Sequence, residues 1–151
     1  MKSWLQEYDS AQEKGNIFHL IMSEIYSLKD VSLVLNKYYE LGEISTNKKQ
    51  KLKELIYKIT NNEELKEFYN PKYKSFNERE IIEKNGKSFI PDRIVFLNDK
   101  DIVLIDYKTG TKKSKYINQL KGYENKLYEI GLNTIKKIII YVSDDIKIEC
   151  F

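Results

Sequence analysis

Two acids and a lysine stand in stretches otherwise built for a core. Ile90-Pro91-Asp92-Arg93-Ile94-Val95-Phe96 and Ile102-Val103-Leu104-Ile105-Asp106-Tyr107-Lys108-Thr109-Gly110 are apolar and β-branched, with the polar turn Asn98-Asp99-Lys100-Asp101 between them, the pattern of two consecutive strands. An ionised group buried without a partner costs several kcal/mol, so Asp92, Asp106 and Lys108 need a reason. Asp106 and Lys108, two residues apart, share a strand face at roughly 6–7 Å, from a rise of about 3.3 Å per residue. If Asp92 and Asp106 meet on adjacent strands, their repulsion at about 4–5 Å is roughly 1 kcal/mol in water-like surroundings and roughly 4 kcal/mol at an effective dielectric near 20. A divalent cation between them turns that repulsion into affinity, and carboxylates suit Mg²⁺ or Mn²⁺. Lys108 beside it could orient or deprotonate a water, or neutralise charge on a phosphate. The plainer alternative is an ordinary ion pair of Asp92 with Arg93 or Lys108.

The elements that must position these groups follow from periodicity. Apolar residues at three- and four-residue spacings predict a helix over 3–26, from Trp4, Leu5 and Tyr8 to Ile25, with a weak point at Gly15. A second helix is expected from Val31 to Leu41, capped by Ser27 or Asp30 and closed by Gly42. A third is expected from Thr46 to Ile59, and a short fourth over Glu63–Tyr69, ended before Pro71. The period then changes. Tyr73–Glu83 reads as a strand, Asn85-Gly86 is a two-residue hairpin signal, and Phe89–Leu97 returns antiparallel. Ile102–Tyr107 is a third strand, Ser114–Ile130 an amphipathic helix stopped by Gly131, and Ile135–Val142 and Ile146–Phe151 pair across Ser143-Asp144-Asp145. The expected class is α/β, a central mixed β-sheet flanked by helices, with an N-terminal helical portion packed on it.

Composition narrows the partners. A net charge of +3 permits nucleic-acid binding without demanding it, and abundant Lys, Asn, Ile and Tyr would equally follow from AT-rich coding. The single cysteine, Cys150, excludes an internal disulfide, a cysteine-held iron–sulfur cluster and a structural zinc site. No apolar run approaches the ~20 residues of a membrane span, so the expectation is a soluble, cytoplasmic protein without a membrane partner.

Pro91-Asp92 followed by Asp106-Tyr107-Lys108 resembles the PD-(D/E)XK nuclease superfamily, in particular its RecB-type branch, found at the C-terminus of UvrD-like helicases. The resemblance covers most of the chain. Gly15-Asn16-Ile17-Phe18-His19 is similar to the branch's first-helix motif, and Asn77-Glu78-Arg79-Glu80 to its acidic strand. Asp106-Tyr107-Lys108-Thr109-Gly110 is close to its D-Y-K-T-G form, and Gln119-Leu120-Lys121-Gly122-Tyr123 to its Q-x-x-x-Y helix. The PD and D-x-K elements alone are loose; five elements in order are specific.

The resemblance implies a restriction-endonuclease-like core and one nuclease domain over 1–151, with a helical part to about 70 and a catalytic core from about 71. It implies Mg²⁺- or Mn²⁺-dependent hydrolysis of DNA, single- or double-stranded, leaving a 5′-phosphate and a 3′-hydroxyl. The reading favours an exonuclease serving DNA repair or recombination. Asp92, Asp106, the Tyr107 carbonyl and His19 would hold the metal, and Lys108 would be the catalytic lysine. Glu78 and Glu80 share one face of the expected strand, so parity does not choose between them; Ile81, three positions on, favours Glu78. Gln119 and Tyr123, i and i+4 on a helix, would hold Lys108 or the DNA backbone, unless Tyr123 is simply core. Lys112, Lys113 and Lys115 would touch phosphates, or form a solvated loop. The cysteine-ligated cluster of some relatives is excluded. The chain has no Walker-type loop, so it is either free-standing or the excised domain of a helicase–nuclease, with the second favoured, and a helicase in the same or another chain becomes an expected partner. The alternative is an inactive nuclease-fold module for DNA binding or scaffolding, although inactive copies lose the acids or the lysine and this chain keeps them.

Overall fold

The computed structural model describes residues 11–151, which divide into two compact units. One is helical, reaching to Pro71 and including Val142–Ile146; the other is an α/β unit of Lys72–Tyr141 with Lys147–Phe151.

The helical unit holds α1 (Ala11–Ser23), α2 (Asp30–Glu40), α3 (Thr46–Thr60) and a 3₁₀ turn at Lys66–Tyr69. The part of the expected first helix over 3–10, with Trp4, Leu5 and Tyr8, lies outside the described residues. Phe18, Ile21, Met22, Val31, Leu35, Leu52, Ile56 and Ile59 are all buried, the stripes the helical period selects. The caps differ from expectation. Neither Ser27 nor Asp30 is the cap residue of α2, where Lys29 stands without a side-chain bond. Instead Asp30 Oδ2 accepts from the Tyr26 and Ser27 amides, each at 3.0 Å, which tightens the turn before the helix. Ser45 caps α3 by accepting from the Lys48 amide at 3.2 Å. Gly42, at φ +76°, leaves α2 in the left-handed conformation that suits glycine. The expected fourth helix shrinks to the 3₁₀ turn.

The α/β unit carries β1 (Lys74–Asn77), β2 (Ile81–Ile82), β3 (Ser88–Phe89), β4 (Arg93–Phe96), β5 (Asp101–Thr109), α4 (Ser114–Glu129), β6 (Asn133–Val142) and β7 (Ile146–Cys150). Five strands form one mixed sheet in the order β1-β4-β5-β6-β7, and β2 and β3 pair only with each other. The class is therefore α/β. β4 is antiparallel to both β1 and β5, and α4 makes the crossover from β5 to β6. Ile94, Ile102 and Leu104 on one sheet face pack with Phe89 and with Leu127 of α4. Asn85-Gly86 forms the expected hairpin: Glu83 N donates to Lys87 O at 2.8 Å and Gly86 takes φ +84°.

The continuous strand expected over Tyr73–Glu83 is not formed. It breaks at Glu78, which adopts φ +51°, a conformation costing an L-residue roughly 1–2 kcal/mol. The first piece joins the large sheet and the second joins the hairpin. The expected return strand, Phe89–Leu97, is likewise split at Ile90-Pro91-Asp92 between β3 and β4. No described helix is long and apolar enough to cross a membrane.

Candidate active site

The register of the sheet creates the site. Arg93 pairs with Ile105, so extending that antiparallel register by one pair sets Asp92 opposite Asp106. Asn77 pairs with Arg93, so the same step sets Glu78 opposite Asp92. Glu78 and Asp92 thus lie one residue outside β1 and β4, and Asp106 lies within β5. The Glu78 amide donates to the Asp92 carbonyl at 3.0 Å, and Asp92 Oδ2 accepts from the Tyr107 amide at 2.8 Å. The backbone of the next strand therefore positions the Asp92 carboxylate.

Asp106 is 4% exposed. Its carboxyl is pushed up to about 7, first by burial and then by the negative charge of Asp92, while Lys108 pulls the other way. Lys108 Nζ stands 3.0 Å from Asp106 Oδ2. No aligned hydrogen bond reaches that oxygen among the described residues, so the approach is an ion pair rather than a directed bond. The ammonium donates to Gln119 Oε1 at 3.0 Å, and Gln119 Nε2 donates to the Tyr123 hydroxyl at 3.1 Å. It also lies over the Tyr116 ring, 4.6 Å from the centroid. Tyr116, Gln119 and Tyr123 are i, i+3 and i+7 on α4, one helix face. The Tyr123 ring stacks on Phe89 at 5.1 Å, making it both core edge and relay. Burial, then the charges of Asp106 and Asp92, raise the Tyr123 phenol, so it stays neutral while accepting from Gln119.

The structure thus brings Asp92, Asp106, Tyr107, Lys108, Gln119 and Tyr123 together. Glu78 joins through its backbone, with an exposed side chain, and Glu80 is exposed in the irregular segment after it. The shared strand face expected for Glu78 and Glu80 does not exist, because the strand ends at Asn77. His19 is on α1 of the helical unit, half-buried, its ring edge-on to Phe18 at 6.2 Å. Of the three lysines beyond Gly110, Lys112 is ion-paired with Glu149 at 2.8 Å, while Lys113 and Lys115 lie 6.0 and 5.6 Å from the Tyr116 ring centroid.

Sequence reasoning missed two residues. Tyr116 counted only as part of an apolar stripe, although its spacing from Gln119 already set it beside Lys108. Arg93 is 1% exposed and donates to Asn77 Oδ1 at 2.9 Å across the sheet, and nothing in its neighbours marks it as buried.

A hard divalent cation fits the carboxylate pair. Asp106 is destabilised as an anion by burial and by Asp92, the two effects a shared cation relieves. The pair is not extended to a larger cluster: among the described residues no three His, Cys, Asp or Glu side chains are gathered closely enough to hold an ion. No protein-family model and no curated protein matches the chain.

Proposed function

We propose that this protein is a metal-dependent deoxyribonuclease with a restriction-endonuclease-like core. The observation carrying the reading is the buried Asp106 beside the half-buried Asp92, with Lys108 held next to them by Gln119 and Tyr116. Asp92 and Asp106 would hold Mg²⁺ or Mn²⁺, with the Tyr107 carbonyl as a further candidate ligand; such an ion polarises a phosphate oxygen and acidifies a water. Lys108, its ammonium already oriented, donates to a non-bridging phosphate oxygen as negative charge grows there. Gln119 fixes that ammonium by accepting a hydrogen bond from it, and the neutral Tyr123 hydroxyl fixes Gln119 in turn by accepting from its amide. Asp106 would hold the cation as the carboxylate, having released its proton to solvent. Lys113 and Lys115 would hold the flanking backbone without reading sequence.

In the same proposal the enzyme acts as an exonuclease in the cytoplasm, as the nuclease part of a repair or recombination helicase–nuclease. Incubation with linear single- and double-stranded DNA tests it. Cleavage is expected with Mg²⁺ or Mn²⁺ and none with EDTA; equal products with EDTA would refute metal dependence, and no products under any condition would favour the inactive module. Gln119→Ala is expected to lower kcat about tenfold with little change in KM, because the lysine remains but loses its orientation. A change confined to KM would place Gln119 on the DNA instead.

A further inference from the structure

A second feature lies on the sheet face that carries the acid pair. Phe76 is paired with Ile94 and Ile94 with Leu104; Ile94 alternates with Phe96 along β4 and Leu104 with Asp106 along β5, so Phe76, Phe96 and Asp106 share that face. Beside β1 these two rings, edge to face at 5.7 Å, line an open pocket of about 450 Å³ together with Tyr73, Lys72, Lys74 and Asp99. Ordinary small-molecule sites span roughly 300–1,000 Å³. The lysines lie over rings: Lys72 is 4.8 Å from the Tyr73 centroid and Lys74 is 5.1 Å from that of Phe76. Arg79 covers Phe76 as well, at 4.5 Å. Cations rest where a π-face is available, the kind of face a nucleobase also stacks on.

We infer that this pocket is a base-binding subsite for single-stranded DNA, seating one nucleobase against Tyr73, Phe76 and Phe96 while Lys72 and Lys74 hold the adjoining phosphates. The choice of DNA as ligand rests on the nuclease reading. Charge decides which part of the nucleotide enters. Asp99 on the wall opposes a phosphate inside, whereas an uncharged base avoids that repulsion and leaves its phosphates to the lysines. Position connects the pocket with the acids. Phe96 is four residues from Asp92, roughly 13 Å at about 3.3 Å per residue, a distance a short stretch of single strand spans. The subsite would therefore hold an unpaired strand in line with Asp92 and Asp106, giving preference for single strands or frayed ends over an intact duplex.

Fluorescence anisotropy in EDTA tests this without turnover. The probes are a labelled oligodeoxycytidylate of about 12 nucleotides and an abasic sugar–phosphate strand of equal length. Phe76→Leu, which keeps most of the apolar volume, and Tyr73→Ala are expected to weaken the base-bearing strand about tenfold, within the range of base–aromatic stacking, and to leave the abasic strand unchanged. Lys72→Ala/Lys74→Ala is expected to weaken both strands. Equal binding of both strands by the wild type, or loss of both with Phe76→Leu, would overturn the base-binding role. Since no cleavage is read, an inactive protein that still shows this pattern would refute the nuclease reading and leave the subsite standing; active cleavage without it would do the reverse.

Discussion

Lys108→Ala is expected to lower single-turnover DNA cleavage by about 10³-fold, the upper end of what one preorganised donor to a developing charge supplies. The size follows from how firmly the ammonium is held. It has an ion pair with Asp106, a hydrogen bond to Gln119 and the face of Tyr116, so it needs no reorganisation when charge builds on the phosphate. The fold should survive. The lysine side chain keeps 20% of its exposure, and an Asp106 deprived of its cation moves further toward the neutral acid, which burial tolerates. Lys108→Arg is expected to restore little, because a planar guanidinium does not occupy the place of a compact ammonium. The measurement is cleavage rate with circular dichroism of each variant. A folded Lys108→Ala protein retaining more than a tenth of the wild-type rate would remove Lys108 from the chemistry.

Asp106→Asn is expected to abolish metal-dependent cleavage and at the same time to stabilise the metal-free protein at alkaline pH. The Asp106 carboxyl lies at about 7 in the folded chain against an ordinary value of 3.8. Between those values the folded state binds the proton more strongly than the unfolded chain, so stability falls as pH rises from about 4 to about 7 and levels off above. Asparagine carries no charge to bury, so that contribution disappears. In EDTA, wild type should therefore lose urea resistance between pH 5 and pH 8 relative to Asp106→Asn, whereas Mg²⁺ or Mn²⁺ at pH 8 should restore the wild type alone. Parallel pH curves for the two proteins would show that Asp106 is not held as described.

The residues of the candidate site were legible where strand and helix periods act locally. Strand alternation set Asp106 and Lys108 on one face, and one turn of helix set Gln119 beside Tyr123. The hairpin at Asn85-Gly86 was equally plain, since its turn chemistry is carried by two adjacent residues. What stayed hidden depended on distant neighbours. The left-handed conformation of Glu78 has no glycine or asparagine to announce it, and it follows from where β4 offers its Asp92 carbonyl. Arg93 reads as a surface residue until Asn77 is seen across the strand. Phe96 belongs to a different segment from Tyr73 and Phe76, and only the β1–β4 register gathers the three around one cavity.

The break at Glu78 also makes the β2–β3 hairpin a separable appendage. Because those strands pair only with each other, lengthening the turn at Asn85-Gly86 shifts no register in the five-stranded sheet, and Phe89 still anchors the hairpin to the core. That turn is where the chain can acquire new sequence, by evolution or by grafting, without disturbing Asp92 and Asp106.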